Sequence, residues 1–220
     1  MNITYEEIKK NSTINTYISE ADKSLQALGF TEHSFAHVTK VAETAGDILA
    51  KLSYDERTVE LAKIAGYMHD IGNVVNRIDH AQSGAVMAFR ILDKMGVDDE
   101  DIAPIVAAIG NHDESTAFPV NPVAAALIIA DKSDVRETRV RSTADISSDI
   151  HDRVNYAVKK QKIDIIPEDK TILLSLEIDT DISGVMEYFQ IFIGRMNLCE
   201  KAAGKLGMKF KLIINNQAMV

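Results

Sequence analysis

Over the first 160 residues, apolar side chains recur every three or four positions, which is the spacing of helices with one buried face. The pattern predicts helices over 4–10, 12–28, 33–52, 55–71, 82–95, 99–111, 121–135 and 149–160. Capping residues support several boundaries, among them Ser12 and Asp55 at helix starts and Gly29 just past a helix end. Residues 1–160 are therefore predicted to form a helical domain.

The pattern changes beyond residue 160. In 171–178 and again in 210–214, large apolar residues recur at every second position, the period expected of strands. A long amphipathic helix is predicted between them at 182–206, and a shorter apolar run, 163–166, could pair with 171–178 across a turn at Pro167. Residues 161–220 are thus predicted to form a small α+β domain in the order ββαβ. Two strands alone are marginally stable, so a third strand or a partner chain is expected.

Composition and charge narrow the functional classes. The 220 residues carry a net charge of -9, which argues against a broad nucleic-acid surface or an anionic membrane as partner. The single cysteine, Cys199, excludes an intramolecular disulfide and a cysteine-based zinc site, and it fits a reducing cytoplasm. The first residues lack the pattern of a signal peptide, and the longest apolar run, 124–130, is too short to span a bilayer. We therefore expect a cytoplasmic protein with no membrane partner.

Four helices each carry an ionisable residue on a face that is otherwise apolar. These residues are His37, His69, His112 and Asp131. A buried carboxylate is strongly destabilising unless it is paired or binds a cation, so Asp131 in particular requires a partner. One shared divalent metal would satisfy all four. The alternatives are hydrogen-bonded core histidines and, for Asp131, an ion pair with a buried Arg or Lys.

The order and context of these residues resemble the H…HD…D signature of HD-domain phosphohydrolases. The matching segments are His37 to Ala42, then Ala65 to Gly72 with its His69-Asp70 pair, and finally Ala130-Asp131. The resemblance covers roughly residues 30–140. It implies an HD-type helical domain, which together with the small ββαβ unit predicted from the alternation gives a mainly α fold. It also implies that His37, His69, Asp70 and Asp131 ligate a divalent metal.

Two more histidines resemble those of family members that hold two metals. His80 precedes Gly84-Ala85 as in an H-x-x-x-G-A element, and His112 lies in a segment similar to an I-x-x-H-H-E element. The resemblance then implies one or two ions of Mn, Fe, Zn, Co or Ni, with Asp70 between them. Asn73 departs from the Lys usual in the cyclic-dinucleotide branch and from the Glu frequent in the nucleotidase branch. These departures, with the absence of a Gly-Tyr-Pro motif, argue against cyclic di-GMP cleavage and leave the general base open.

A cluster of cations follows Asp131 and suggests where a phosphate would bind. Lys132, Arg136 and Arg139 are the candidates, and Arg139 would be better placed than Arg136 if the helix continued. The alternative is a solvated helix face. Asp134 is a candidate catalytic residue together with Asp70, or else a salt-bridge partner of these arginines.

The sequence therefore predicts a metal-dependent hydrolase that uses metal-activated water to cleave a phosphoester in a nucleotide or a small phosphorylated metabolite. Two other functions remain open: a di-iron oxygenase on the same scaffold, and a nucleotide-binding regulatory module. A homodimer through the C-terminal unit is also compatible with the pattern. His33 is expected at a helix start, and His151 and Asp152 on a plain surface.

Overall fold

The computed structural model describes residues 2–141 and 149–219, so 142–148 of the predicted first domain lie outside the described chain. Helices fill most of this chain up to Ala157. They are α1 (Tyr5–Lys10), α2 (Ser12–Ala27), α3 (Phe35–Lys51), α4 (Glu56–Met68), α5 (His80–Lys94), α6 (Asp99–Gly110), α7 (Pro122–Lys132) and α8 (Ile150–Ala157). Short 3-10 turns follow α4 at Ile71–Val74 and α7 at Glu137–Arg139.

Polar side chains set several of the helix starts. Asn11 caps α2 by accepting hydrogen bonds from the amides of Thr13 and Ile14, so the predicted cap at Ser12 was wrong by one residue. Asp55 caps α4 as predicted, through the amide of Thr58. Gly29 follows α2 with φ +81°, a conformation that glycine adopts without steric strain.

Helices α3, α4 and α7 pack against one another at the centre of the helical domain. Residues 124–130 of α7 are at most 2% exposed, which explains why that segment is apolar throughout. Helices α3 and α4 approach closely at Gly66, where a Cβ atom would lie 2.7 Å from the Cα atom of Ala42. This approach brings the rings of His37 and His69 to 5.2 Å between centroids.

A small sheet follows the helical domain, with strands β1 (Val158–Ile166), β2 (Thr171–Ile178), β3 (Lys209–Ile214) and β4 (Gln217–Ala218). Its order is β1-β2-β3-β4, with β1 and β4 antiparallel to their neighbours and β2 parallel to β3. The predicted ββαβ order is confirmed, with β4 added. The predicted helix 149–160 instead ends at Ala157, because pairing of Val158 with Ile178 begins the first strand there.

Helix α9 (Val185–Lys205) connects the parallel strands β2 and β3, and it packs against both β3 and α7. Its buried face includes Phe192, Met196 and Cys199. Together with α7 and the sheet, this face forms one continuous hydrophobic cluster.

The mainly α fold with a small α+β unit is therefore confirmed, whereas a domain boundary at residue 160 stays a prediction. None of the helices in the two described ranges combines the length and hydropathy needed to cross a bilayer.

Candidate metal centre

Different helix ends bring the six predicted ligands into one buried cluster. His37 lies in the first turns of α3, and His69 and Asp70 end α4. The other three are His80 at the start of α5, His112 just after α6 and Asp131 near the end of α7. The histidines and Asp70 are buried, and the Asp131 side chain is 12% exposed.

In four of these side chains, the atoms that could bind a metal lie close to one another. His37 Nε2 lies 3.3 Å from Asp131 Oδ1 and 3.7 Å from Asp70 Oδ2. His69 Nε2 lies 3.2 Å from Asp70 Oδ2 and 3.7 Å from Asp131 Oδ1. Two imidazoles and two carboxylates therefore surround a single point, and these are ligand types that a divalent transition metal accepts.

A second group of side chains surrounds the other oxygen of Asp70, Oδ1. Asp70 Oδ1 lies 3.5 Å from His80 Nε2 and 3.8 Å from His112 Nε2. The two Nε2 atoms are 3.2 Å apart. Asp70 thus offers one oxygen to each group and would be a ligand in both if two ions were bound.

The tautomers of the histidines test whether these residues fit a metal. His69 Nδ1 contacts the carbonyl of Gly66 at 2.7 Å, and His112 Nδ1 contacts that of Ile109 at 2.6 Å. A carbonyl only accepts hydrogen bonds, so Nδ1 carries a proton, and each ring in its neutral form presents an Nε2 lone pair to the cluster. The buried Nε2 atoms of His37 and His69 have no hydrogen-bond partner among the described residues. Lone pairs that face carboxylate oxygens are stabilised by a cation, so the residues fit one.

Titration favours the metal-binding forms of His80, His112, Asp70 and Asp131, whereas at His69 burial disfavours the charge but Asp70 and Asp131 raise the pKa. Burial lowers the pKa of His80 to about 4 and also lowers the pKa of His112, so both imidazoles are neutral near pH 7. Burial disfavours the charged carboxylates, yet His69 beside Asp70 and Lys132 beside Asp131 hold the pKa of both acids well below the usual range. Neutral imidazoles and ionised carboxylates are the forms that bind metal.

Asp134 lies behind the cluster, on the far side of His37. Its Oδ2 accepts a hydrogen bond from His37 Nδ1 at 2.8 Å, and its other contacts include Arg136 Nε at 2.8 Å and Lys40 Nζ at 3.1 Å. The side chain is fully buried and is absent from the walls of the cleft described below. Asp134 is thus paired with two cations and lies against His37 on the side away from the cleft, and a catalytic role for it stays a prediction.

The cations predicted to bind phosphate are placed differently from one another. Helix α7 ends at Lys132, so the continuing helix assumed for Arg136 and Arg139 does not exist. The buried Arg139 donates hydrogen bonds to the carbonyls of Glu32 and Asp134, whereas Arg136 is paired with Asp134 outside the cleft. Lys132 Nζ lies 2.7 Å from Asp131 Oδ2, which leaves Oδ1 facing the histidines.

A cleft of about 570 Å³ opens onto the cluster and includes residues that the sequence did not indicate. His33 lies on its wall, ahead of α3 rather than inside it, with its ring 5.4 Å from that of His37. His151 and Asp152 of α8, expected on plain surface, also line it. Further wall residues are Arg77, Asp113, Phe192 and Arg195. The adjacent His112-Asp113 pair was a usable signal for Asp113, but no sequence pattern marked the two residues of α9.

A family model and a solved structure are each similar to part of this chain. The family model of the HD domain matches residues 34–138, a range that contains all six candidate ligands. Among solved structures, the chain is similar to a predicted HD superfamily hydrolase from an uncultured Thermotogales bacterium. That likeness has 27% identity and a TM-score of 0.46, and it covers 60% of this chain and 73% of the other. No curated protein matches the chain. The match of the HD-domain family model to residues 34–138 supports the predicted resemblance of this segment to HD-domain proteins.

Proposed function

We propose that the protein is a metal-dependent hydrolase that cleaves a phosphoester in a nucleotide or a small phosphorylated metabolite. The observation that carries the proposal is the set of buried Nε2 lone pairs directed at Asp70 and Asp131 beneath an open cleft. The match of the HD-domain family model to residues 34–138 supports it. A cation held there would lower the pKa of a coordinated water and polarise a phosphoryl oxygen.

Some residues of the cluster would hold the ions, and others orient the histidine rings that hold them. His37, His69, Asp70 and Asp131 would hold one ion, while His80 and His112 with the other oxygen of Asp70 would hold a second. Asp134 fixes the ring of His37, and backbone carbonyls fix the rings of His69 and His112. Such outer contacts orient ligands before metal binding and lower the reorganisation required.

The cleft limits the size and charge of the substrate. Its volume of about 570 Å³ is within the range of small-molecule sites. Its walls carry four cations, Arg77, Lys132, Arg139 and Arg195, and six carboxylates, Asp70, Asp113, Glu114, Asp131, Asp149 and Asp152. Divalent ions held by Asp70 and Asp131 would offset part of this negative charge and let an anionic group approach.

A phosphate-release screen tests the proposal. The metal content of the purified protein is measured first, and the protein is then assayed on nucleotides and simple phosphoesters with Mn, Co, Ni or Mg added. We expect release that depends on metal and is lost in Asp131→Asn, while Asp47→Asn, which changes an exposed carboxylate of α3, retains it. No release from any substrate under metal-loaded conditions would contradict hydrolysis of phosphoesters.

The histidine content of the second group favours one further candidate, a di-iron oxygenase. With His80 and His112, the candidate ligands include four imidazoles, whereas the first group has only the two of His37 and His69. Copurified iron together with oxygen uptake, in the absence of phosphate release, would favour that function over hydrolysis.

A further inference from the structure

Helix α9 contributes a guanidinium to the cleft from outside the HD domain. Arg195 and Phe192 line the same cavity as Asp70, His80 and Asp131. They are brought there because α9 packs along α7, the helix that carries Asp131. The cleft is therefore formed by two parts of the chain that are distant in sequence.

Arg195 differs from the other cations of the cleft in how its nitrogens are used. Arg139 donates Nε and Nη1 to backbone carbonyls, and Lys132 is paired with Asp131. Arg77 has Nη1 between Asn73 Oδ1 and His80 Nε2, where a bound cation would repel it. Arg195 uses Nε alone, on Glu114 Oε1 at 2.5 Å, and its two terminal nitrogens have no partner within residues 2–141 and 149–219.

The side chain of Arg195 is held in place before any ligand arrives. Its guanidinium carbon lies 4.4 Å from the centroid of the Phe192 ring, and Glu114 holds its Nε edge. Glu114 follows His112 by two residues, so this ion pair ties α9 to the segment that carries a candidate ligand. The side chain is 24% exposed, which leaves the terminal nitrogens accessible from the cleft. A fixed guanidinium with two free nitrogens matches a pair of phosphate oxygens.

We propose that Arg195 binds the phosphoryl group of the substrate, so that the C-terminal unit supplies the specificity of the HD site for oxyanions. This inference rests on the proposed function, and it assigns to Arg195 the phosphate contact that the sequence assigned to Lys132, Arg136 and Arg139. Lysine at this position would keep the charge but lose the paired nitrogens.

Binding of inorganic phosphate tests the assignment independently of catalysis. Calorimetric titration of the metal-loaded protein is compared among wild type, Arg195→Ala, Arg195→Lys and Lys201→Ala. Lys201 is an exposed cation of the same helix outside the cleft, so its variant controls for the loss of one charge. We expect Arg195→Ala to bind phosphate on the order of 10- to 100-fold more weakly, with Arg195→Lys between it and wild type. Lys201→Ala should match wild type, and all four proteins should hold the same amount of metal.

Two outcomes would overturn the assignment. One is equal phosphate affinity in wild type and Arg195→Ala, which would reduce Arg195 to a tie between α9 and Glu114. The other is no phosphate binding by the metal-loaded wild type. Thermal unfolding of each variant shows whether it is folded, and Arg195→Lys provides the test if Arg195→Ala is not. Normal phosphate binding without hydrolysis of any phosphoester would contradict the proposed function and leave the role of Arg195 intact.

Discussion

Asp134 accepts a hydrogen bond from His37 Nδ1 at 2.8 Å, while Nε2 of the same ring faces Asp131 Oδ1 at 3.3 Å. The imidazole is thus held on one edge by a carboxylate and turned towards the cluster on the other. Burial opposes the charge of Asp134, but the hydrogen bond from His37 helps to hold its pKa well below the usual range. An ionised acceptor fixes the tautomer in which Nε2 is free to bind metal.

Asp134→Asn should therefore weaken metal binding by about 10- to 100-fold without removing a ligand. The measurement is a competition titration with a coloured chelator. Asp164→Asn, which changes a carboxylate paired with Lys162 on β1, serves as the control and should bind metal like wild type. Unchanged affinity in Asp134→Asn would mean that the packing of α3 alone orients His37.

Metal binding should stabilise the fold, because the buried Nε2 atoms of His37 and His69 lack hydrogen-bond partners among the described residues. At a free metal concentration 100 times the dissociation constant, the gain is about 2.7 kcal/mol, or about 5–10 °C in Tm for a chain of this size. Thermal unfolding after chelation and after metal addition measures the difference. A Tm insensitive to Mn, Co, Ni and Zn would contradict a metal site in this cluster.

His80→Ala and His112→Ala should each lose one metal ion and retain the other. Neither residue belongs to the first group of His37, His69, Asp70 and Asp131, although His112 also lies near His69 and Asp131. Elemental analysis of the purified variants gives the stoichiometry. His151→Ala makes the same substitution on the cleft wall, where the ring contacts Asp149, and should keep the wild-type metal content. If both variants held as much metal as wild type, His80 and His112 would be core or substrate-contacting residues.

Gly72 supports the bend between the His69-Asp70 pair and α5. A Cβ atom there would lie 2.0 Å from the carbonyl oxygen of His80 and 2.4 Å from the amide nitrogen of Gly84. Gly72→Ala should therefore destabilise the protein by about 3 kcal/mol, because backbone atoms must move. Gly194→Ala, in open space within α9, should stabilise it by about 0.5–1 kcal/mol. Denaturant unfolding compares both with wild type, and equal stabilities would show that the bend adapts easily.

Glu187 links α9 to α8 through a contact that depends on pH. Hydrogen bonds from Arg153 and Ser183 lower the pKa of Glu187 from 4.5 to about 2. Because the folded pKa lies below the ordinary value, the stabilisation is fully present above about pH 4.5 and is lost as the pH falls towards 2. The Tm of Glu187→Gln should be slightly below that of wild type at pH 7, and the gap should narrow between pH 4.5 and 2. A constant gap over that range would assign the effect to packing.

The helices and the proposed ligands could be predicted because both leave a local signal. Apolar residues repeat with the helical period, and His37 and Asp131 stand out as ionisable groups within those repeats. The third strand was also predictable, since alternation in 210–214 is visible without a partner. What these features share is that a short window of sequence contains the whole pattern.

The remaining features depend on tertiary contacts. The hydrogen bond from His37 to Asp134 joins residues 97 positions apart, and no local spacing indicates it. Strand β1 begins at Val158 because β2 pairs with it there, although its polar Lys159 and Lys160 give no strand alternation. Arg195 lines the cleft only because α9 packs on α7. The position of Arg139 was predicted from a helix that ends seven residues earlier, at Lys132.

The parallel pairing of β2 with β3 has a consequence for the order in which the protein is made. All six candidate ligands lie between His37 and Asp131, and ribosomes release them before α9 and β3 have been synthesised. Strand β3 can pair with β2 only after α9 has crossed between them. During that interval the face of α7 that α9 later covers is exposed in the nascent chain. The wall that carries Arg195 is thus the last part of the cleft to fold, and the same interval is when the chain is most prone to aggregate.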